Sequence, residues 1–489
     1  MNMQRAQFAV LARFSPRRAA RALPPLGLAA LAAAYARTLA PSISWANNGA
    51  DSGDLATAAA TLGVAHPAGY PTYLLLARLF MLLPVGDIAY RANMLSAAAA
   101  LLATLLLYRL ARRLLAAGTL ASASAAGLAA LALGTAPLFW SQAVIAEVYT
   151  LNALFAVLLL GFAAEPARSR SALAARGLLA GLALGNHPTI GLFVAAWLLS
   201  EGLRARQRLA DILGAAGGLA AGLLVYLYLP LRAAAHPPVS WGGADTLAGF
   251  WWVLSGALYR PLAFGVPAGE LPARLADAGA LLWRQVGALG LGLALAGLAY
   301  APPRARRFVW LSAGAALLQA AFAIGYNTPD YAVHLIPALL IAALWMGLGA
   351  AALLSWLNKR WRGAAPLAAL VLAGAFLAPL PATLRQADAS GDTRALDYAL
   401  AVLEAAPPRA IVLSAGDRDS FALAYARYAL GRRPDTAVLI ESLLQYDWYR
   451  ANARALYPAL RLPDAPEGEW GTTLAAANPD RAVTRAPAP

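Results

Sequence analysis

Long apolar runs recur from Leu23 to about Leu384, separated by short clusters of arginine, and they restrict the fold more than any other feature of the chain. Each run is about long enough to cross ~30 Å of hydrocarbon at a rise of ~1.5 Å per helical residue. No water reaches the backbone in that medium, so amide and carbonyl groups must pair within the segment, as a helix allows. Barrel strands would alternate apolar and polar residues, and these runs do not. Of 489 residues 60% are hydrophobic and 13% charged, about half the charged share of a soluble protein. The expected class is an α-helical polytopic membrane protein.

A net charge of +15 could signal a nucleic-acid partner, but the arginines sit at the ends of apolar runs rather than on one soluble face. Nucleic acid is therefore not expected as a partner; the lipid bilayer is. There is no cysteine, which excludes disulfides, a thiolate nucleophile and Cys-ligated zinc. The basic N-terminus fits a transit peptide in part. The apolar stretch that follows, Leu23 to Pro41, is too long for a signal core and has no evident cleavage site. An uncleaved first helix with residues 1–22 in the cytoplasm is expected.

The arginine clusters set the topology. They lie at Arg109–Arg113, Arg168–Arg176, Arg204–Arg208, Arg304–Arg307 and Lys359–Arg362. With all of them inside, helices alternate without contradiction over 23–41, 92–110, 118–138, 148–164, 211–231, 286–301, 308–325, 333–354 and 364–384. The stretch 177–201 begins and ends at basic clusters, so it must be a hairpin of two short helices or a re-entrant pair, broken at Asn186-His187-Pro188. That makes about eleven helices in a domain spanning 23–384. Gly214, Gly218 and Gly222 form a small-xxx-small ladder for close helix packing. Residues 385–489 read as a small extracytoplasmic α/β domain. It has a strand at Arg409–Ser414, a Gly416-Asp417-Arg418-Asp419 loop, a helix over Ser420–Leu430 and a strand at Thr436–Glu441. The tail beyond Pro463, rich in Pro, Ala and Asp, is expected to be loose.

This topology sends Asp51, Asp54, His66, Glu147, His236, Asp330 and His334 to the non-cytoplasmic face, with His187 reachable from the same side. Ionisable groups beside a bilayer are costly and mark functional cavities by default. Loop polarity alone accounts for His236 or Asp330. It accounts poorly for Asp51, Asp54, His66 and Glu147, which occupy short segments between apolar runs. The loop 42–90 is richest, with two acids three residues apart at a helix start and an embedded interfacial stretch, Tyr73 to Leu83. A carboxylate there can serve as general base toward a hydroxyl; a DxxD pattern also suits a helix cap or a cation. Glu147 is either an orienting carboxylate or an interface residue. Arg232 and Arg260 lie outside, against the positive-inside trend, among Trp241, Trp251, Trp252 and Tyr259. These aromatics are membrane anchors or sugar-stacking faces, and the two arginines suit an anion such as a lipid phosphate.

Several of these segments resemble one known family. Asp51-Ser-Gly-Asp-Leu55 followed by Leu62-Gly-Val-Ala-His-Pro-Ala-Gly-Tyr-Pro71 is similar to the signature of glycosyltransferase family 117. Matches at Phe139-Trp140, Ala146-Glu-Val-Tyr-Thr-Leu-Asn152, Gly185-Asn-His-Pro188, Tyr226-Leu-Tyr-Leu-Pro-Leu-Arg232, Ser240-Trp-Gly242, Gly416-Asp-Arg-Asp419 and Arg433-Pro-Asp435 follow in the family's order. The resemblance covers about residues 45–450. It implies a GT-C fold and transfer of mannose or a similar hexose from a polyprenyl-phosphate donor to a hydroxyl acceptor, protein Ser/Thr included, at an inner-membrane enzyme. The family commonly has Glu at the position of Asp54. Asp51 is thus expected as the base of an inverting displacement with Asp54 in support. His66, Tyr70, Glu147, Tyr149, His187, Arg232, Trp241, Tyr259, Arg260 and Asp330 are expected around the substrates. No cofactor is called for, and a divalent metal is not required. The rival expectations are a transporter or flippase of lipid-linked saccharide, working through the broken hairpin, and a scaffold in an envelope-polysaccharide complex.

Overall fold

The computed structural model describes residues 16–115, 119–203, 209–463 and 469–489; the expected basic segment before Pro16 and the Arg204–Arg208 cluster lie outside the described residues. Among the described residues, six helices are long and apolar enough to cross a bilayer by length and composition. They are Ile88–Leu115, the run Leu209–Ala233, Leu271–Ala299, Pro303–Gly325, the run Tyr331–Arg360 and Ala364–Ala387. A seventh path is the pair Leu120–Gly134 and Pro137–Ala143, bent by 64°. The bend falls at Ala136, held extended (φ −65°, ψ 128°) by the proline after it. Tyr149–Ala164 and Pro188–Gly202 are apolar but shorter.

Two segments differ from their expected bounds. The helix expected over 286–301 begins at Leu271 and is interrupted at Gly287, whose φ of 63° no β-carbon-bearing residue adopts readily. Its first half carries Arg274, Asp277 and Arg284, which hid it from a hydropathy pattern. The hairpin at 177–201 consists of Arg170–Leu184 and Gly191–Gly202, with extended His187 (φ −158°, ψ 135°) at the turn before Pro188.

The basic clusters gather at one end of the bundle. Arg304 Nε donates to the Leu114 carbonyl at 2.9 Å, Arg113 lies 3.6 Å from Glu165, and Arg170 lies 3.4 Å from Asp211. Thr119, Leu120, Asn358 and Ala365 share one crevice, which brings the Lys359 cluster to that end too. One close helix contact is Arg170–Leu184 against Leu209–Leu223. A β-carbon at Gly218 would stand 2.0 Å from the Ala174 carbonyl oxygen, and one at Gly222 2.2 Å from that of Leu178. The glycine ladder is therefore a packing device, as expected.

The C-terminal segment forms a three-stranded parallel sheet in the order β2-β1-β3, with β1 at Ile411–Ser414, β2 at Ala437–Ile440 and β3 at Val483–Arg485. The tail is less loose than its composition implied. Trp470–Ala477 is helical with Trp470 and Leu474 buried, and β3 pairs with β1. Burying those two apolar residues outweighs the polar residues around them. The unit packs directly on the first loop. Asp392 accepts hydrogen bonds from Ser44 Oγ (2.6 Å) and from the amides of Trp45 (3.0 Å) and Ala46 (2.8 Å), and Asn452 Nδ2 donates to the Pro237 carbonyl at 3.1 Å.

Candidate active site

The first loop follows the helix Pro16–Thr38 and turns through Asn47 and Asn48, both left-handed (φ 58° and 60°), before the helix Ser52–Thr61 begins. Asparagine tolerates that backbone region better than other non-glycine residues. Asp51 caps the helix in sequence, yet its side chain makes no capping hydrogen bond. The carboxylate is left facing the site, with 34% of its side-chain surface open.

Beyond the helix, Leu62 takes a left-handed C-cap (φ 51°) and the chain folds back. Gly63 allows this return, because a β-carbon there would meet the Val239 carbonyl oxygen at 2.3 Å. Val64 then pairs with the 239–241 segment: Val64 N donates to Val239 O at 2.9 Å and Trp241 N to Val64 O at 3.1 Å. This single bridge brings His66 and Trp241 together over the helix start.

Asp54 is buried and fully engaged. Its Oδ2 accepts from His66 Nδ1–H at 2.7 Å and from the His66 amide at 2.9 Å, and its Oδ1 accepts from Trp241 Nε1–H at 3.1 Å. The opposite nitrogen of the imidazole, Nε2, faces Asp51 Oδ2 at 3.6 Å. The three side chains form a line, Asp54–His66–Asp51, closed at one end and open at the other. Burial pushes the Asp51 carboxyl up to about 6, opposed by His66 and reinforced by Asp417, Asp54 and Asp330. For His66, burial disfavours the cation, but Asp51 and the Asp54 hydrogen bond outweigh it and raise the imidazole to about 9. Asp51 is thus near the borderline of ionisation while His66 is an imidazolium.

Aromatic rings enclose the line. Tyr70 meets the His66 ring edge-on with centroids 5.0 Å apart, Tyr259 and Trp241 do so at 6.3 Å, and Phe421 stacks on it at 6.1 Å. Tyr70 continues the wall to a second cluster, stacking on His187 at 6.0 Å. His187 lies 6.0 Å from Tyr149 and 5.6 Å from His334, which in turn touches Tyr326 at 5.1 Å. Thr189 N donates to His187 Nδ1 at 3.3 Å, so the neutral ring carries its proton on Nε2. Glu147 is buried; burial, then the fields of Asp51 and Asp330, hold its carboxyl well above the ordinary range.

Ten of the twelve expected residues therefore surround one region, Asp330 and Glu147 through their fields at Asp51. The two arginines do not join them. Arg232 Nε donates to the Leu62 carbonyl at 2.7 Å, where it ties down the end of the Ser52–Thr61 helix. Arg260 is exposed and bonded to Ser255, one residue beyond Tyr259. Their unusual placement outside the bundle came from hydropathy alone, which carries no side-chain direction. Among the described residues, no three His, Asp or Glu side chains converge as metal ligands.

Asp417, Phe421, Tyr326 and His334 belong to the site without having been singled out for it. Asp417 and Phe421 follow β1, at the carboxyl end of the central parallel strand, where α/β units present functional residues. That rule, applied to the Gly416–Asp419 loop, was the available signal. His334 had been placed on the correct face, but nothing in sequence spacing linked it to His187.

Comparison with known proteins gives this geometry a family setting. Residues 51–208 match the protein O-mannosyl-transferase TMEM260 N-terminal domain, and residues 395–463 match TMEM260-associated domain 2. The chain is 31% identical to the protein O-mannosyl-transferase TMEM260 of Mus musculus over 476 residues, covering 89% of this chain and 65% of the mouse protein. It is 24% identical to its counterpart in Dictyostelium discoideum over 491 residues, covering 88% of this chain and 58% of that protein. The chain thus spans about two thirds or less of the length of these relatives. Among solved structures it is similar to ArnT from Cupriavidus metallidurans in the apo state, with a TM-score of 0.55 at 14% identity over 85% of this chain and 89% of that one. Against ArnT bound to undecaprenyl phosphate the TM-score is 0.56 at 16% identity, over 94% and 89% of the two chains. The chain is accordingly a multi-pass membrane protein that is similar to the TMEM260 proteins over both matched segments and shares its fold with ArnT.

Proposed function

We propose that the protein is a membrane glycosyltransferase that moves mannose or a similar hexose from a polyprenyl-phosphate donor to a hydroxyl acceptor, protein Ser/Thr included. The observation that carries this reading is the Asp54–His66–Asp51 line. It supplies one free, partly open carboxylate whose partner groups are locked in place. The TMEM260 relatives are named as protein O-mannosyl-transferases, and ArnT has been solved with undecaprenyl phosphate; both support a lipid-linked sugar donor.

In the proposed step Asp51 accepts the proton of the acceptor hydroxyl while its oxygen bonds to the anomeric carbon. The bond from that carbon to the phosphate oxygen breaks, and its electron pair leaves with the lipid phosphate, so configuration inverts. A carboxyl raised to about 6 is a stronger base than an ordinary aspartate and is still mostly ionised at neutral pH. Asp54 takes no proton; its acceptor sites are filled, and it fixes the imidazole that orients Asp51. Phosphate leaves without an acid, so stabilisation of its charge suffices. Of the two arginines, Arg260 is the better placed for it, adjacent to Tyr259 at the site wall. Trp241, Tyr70, Tyr149 and Tyr259 offer faces and hydroxyls to the sugar. We propose no resident metal, because His66 already bridges both aspartates and offsets one of their two charges.

The Asp51–His66 face lies at the end of the bundle opposite the arginine clusters, which supports an extracytoplasmic site in a cytoplasmic membrane. The deciding experiment incubates purified protein with radiolabelled polyprenyl-phosphate mannose and a Ser/Thr-containing acceptor. Transfer by the wild type and its loss in Asp51→Asn are expected. Label movement between leaflets without covalent transfer would replace this reading with a flippase.

A further inference from the structure

The C-terminal unit reaches the site through one side chain whose geometry differs from all its neighbours. Tyr70, Trp241 and Tyr259 address the His66 ring at interplanar angles of 66°, 76° and 84°, whereas Phe421 lies at 14° to it, with centroids 6.1 Å apart. Phe421 is the one ring among these four that lies nearly parallel to the imidazole, offset to one side of it. It is buried and flanked by Trp241, which stands 6.3 Å from both Phe421 and His66. Its helix, Asp417–Ala424, is set by Asp419, whose carboxylate accepts from the amides of Ala415 (2.7 Å) and Gly416 (2.8 Å). Close approach is secured from the other side by Gly53, between the two aspartates, where a β-carbon would stand 2.6 Å from the Phe421 carbonyl oxygen.

We propose that Phe421 is a positioning residue for His66, and that the C-terminal unit is a wall of the active site rather than a separate binding module. This rests on the role given above to the Asp54–His66–Asp51 line. An imidazole bonded at Nδ1 can still tilt about that bond, and Nε2 would then swing away from Asp51. A near-parallel ring beside one edge of the imidazole limits this tilt. Asp417, four residues earlier on the same face of the helix, adds a carboxylate at the rim. The ionisable groups facing His66 are Asp51 and Asp54 from the first loop, Asp417 from the C-terminal unit, Tyr70 and Tyr259, with His187 beyond Tyr70.

The test uses the full chain in detergent with its histidines 13C-labelled; there are four, so the His66 resonance is assignable by His66→Gln. The probe is the His66 titration in the absence of any substrate, compared with the pH–rate profile. Phe421→Leu fills the space without offering a flat face. It is expected to lower the His66 midpoint by about one unit, to move the alkaline limb of activity equally, and to reduce kcat about ten-fold or more. Donor KM should change little, and Phe421→Tyr should restore all three quantities. Phe421→Met serves as the aliphatic variant if leucine lowers the thermal midpoint. An unmoved His66 titration in the aliphatic variant, or failure of tyrosine to restore it, overturns the proposal. A moved titration in a protein that transfers no sugar would leave this proposal standing and remove the glycosyltransferase reading instead.

Discussion

Asp51 and Asp54 are three residues apart and chemically identical, yet the fold gives them opposite tasks. Asp54 is buried under three hydrogen-bond donors, whereas Asp51 keeps a third of its side chain open and touches only His66. Asp51→Asn is expected to lower kcat about a thousand-fold with little change in donor KM, as loss of a general base does. Asp54→Asn should act through His66, reducing kcat less and shifting the pH profile. The sign of that profile follows from the two groups. Asp51 must be ionised, so activity rises as pH passes about 6; His66 must be protonated, so activity falls as pH passes about 9. A bell with these limbs, belonging to the coupled pair, is expected in kcat/KM, and His66→Gln should abolish the alkaline limb. A profile flat from pH 5 to 10 would exclude both assignments.

Helices in this chain are positioned by what their glycines allow. Gly177 and Gly181 face Ala215 and Leu219 carbonyls at β-carbon distances of 2.2 and 2.4 Å, and Gly218 and Gly222 face their partner helix in the same way. Gly218→Val is expected to destabilise the helix pair by about 1–3 kcal/mol, read as a lower thermal midpoint in detergent. The hairpin it supports carries His187, so a loss of activity should accompany the shift. The glycine ladder on 209–223 was legible in sequence because it repeats every four residues. Its counterpart Gly177–Gly181 was not noticed there, because two glycines four apart carry no signal until a partner helix is known. The same holds for Gly53 and Gly63, whose reasons lie with Phe421 and Val239, far away along the chain.

On the scale of the whole molecule, the end of the bundle that holds the acids also holds the C-terminal unit, since Asp392, Tyr425 and Asn452 bond directly to the first loops. The cysteine-free sequence makes orientation directly measurable. Exposed Ser390→Cys should react with a membrane-impermeant maleimide added outside cells, and Lys359→Cys should react only after permeabilisation. The reverse pattern would invert the proposed topology. Class, approximate helix positions and the gathering of the acids at one end of the bundle were set by the sequence, because transfer of apolar surface and charge into lipid is a local, additive cost that each segment expresses alone. The first-loop motif likewise singled out Asp51, Asp54 and His66, which the structure brings into one line. What only the tertiary structure decided is how those residues share their work. Trp241 closes Asp54, Phe421 closes His66 and Arg232 turns away to a helix end, each across a long sequence separation. Hydrogen-bond direction and ring stacking depend on positions in space within a few ångströms, and no pattern along a chain carries that information.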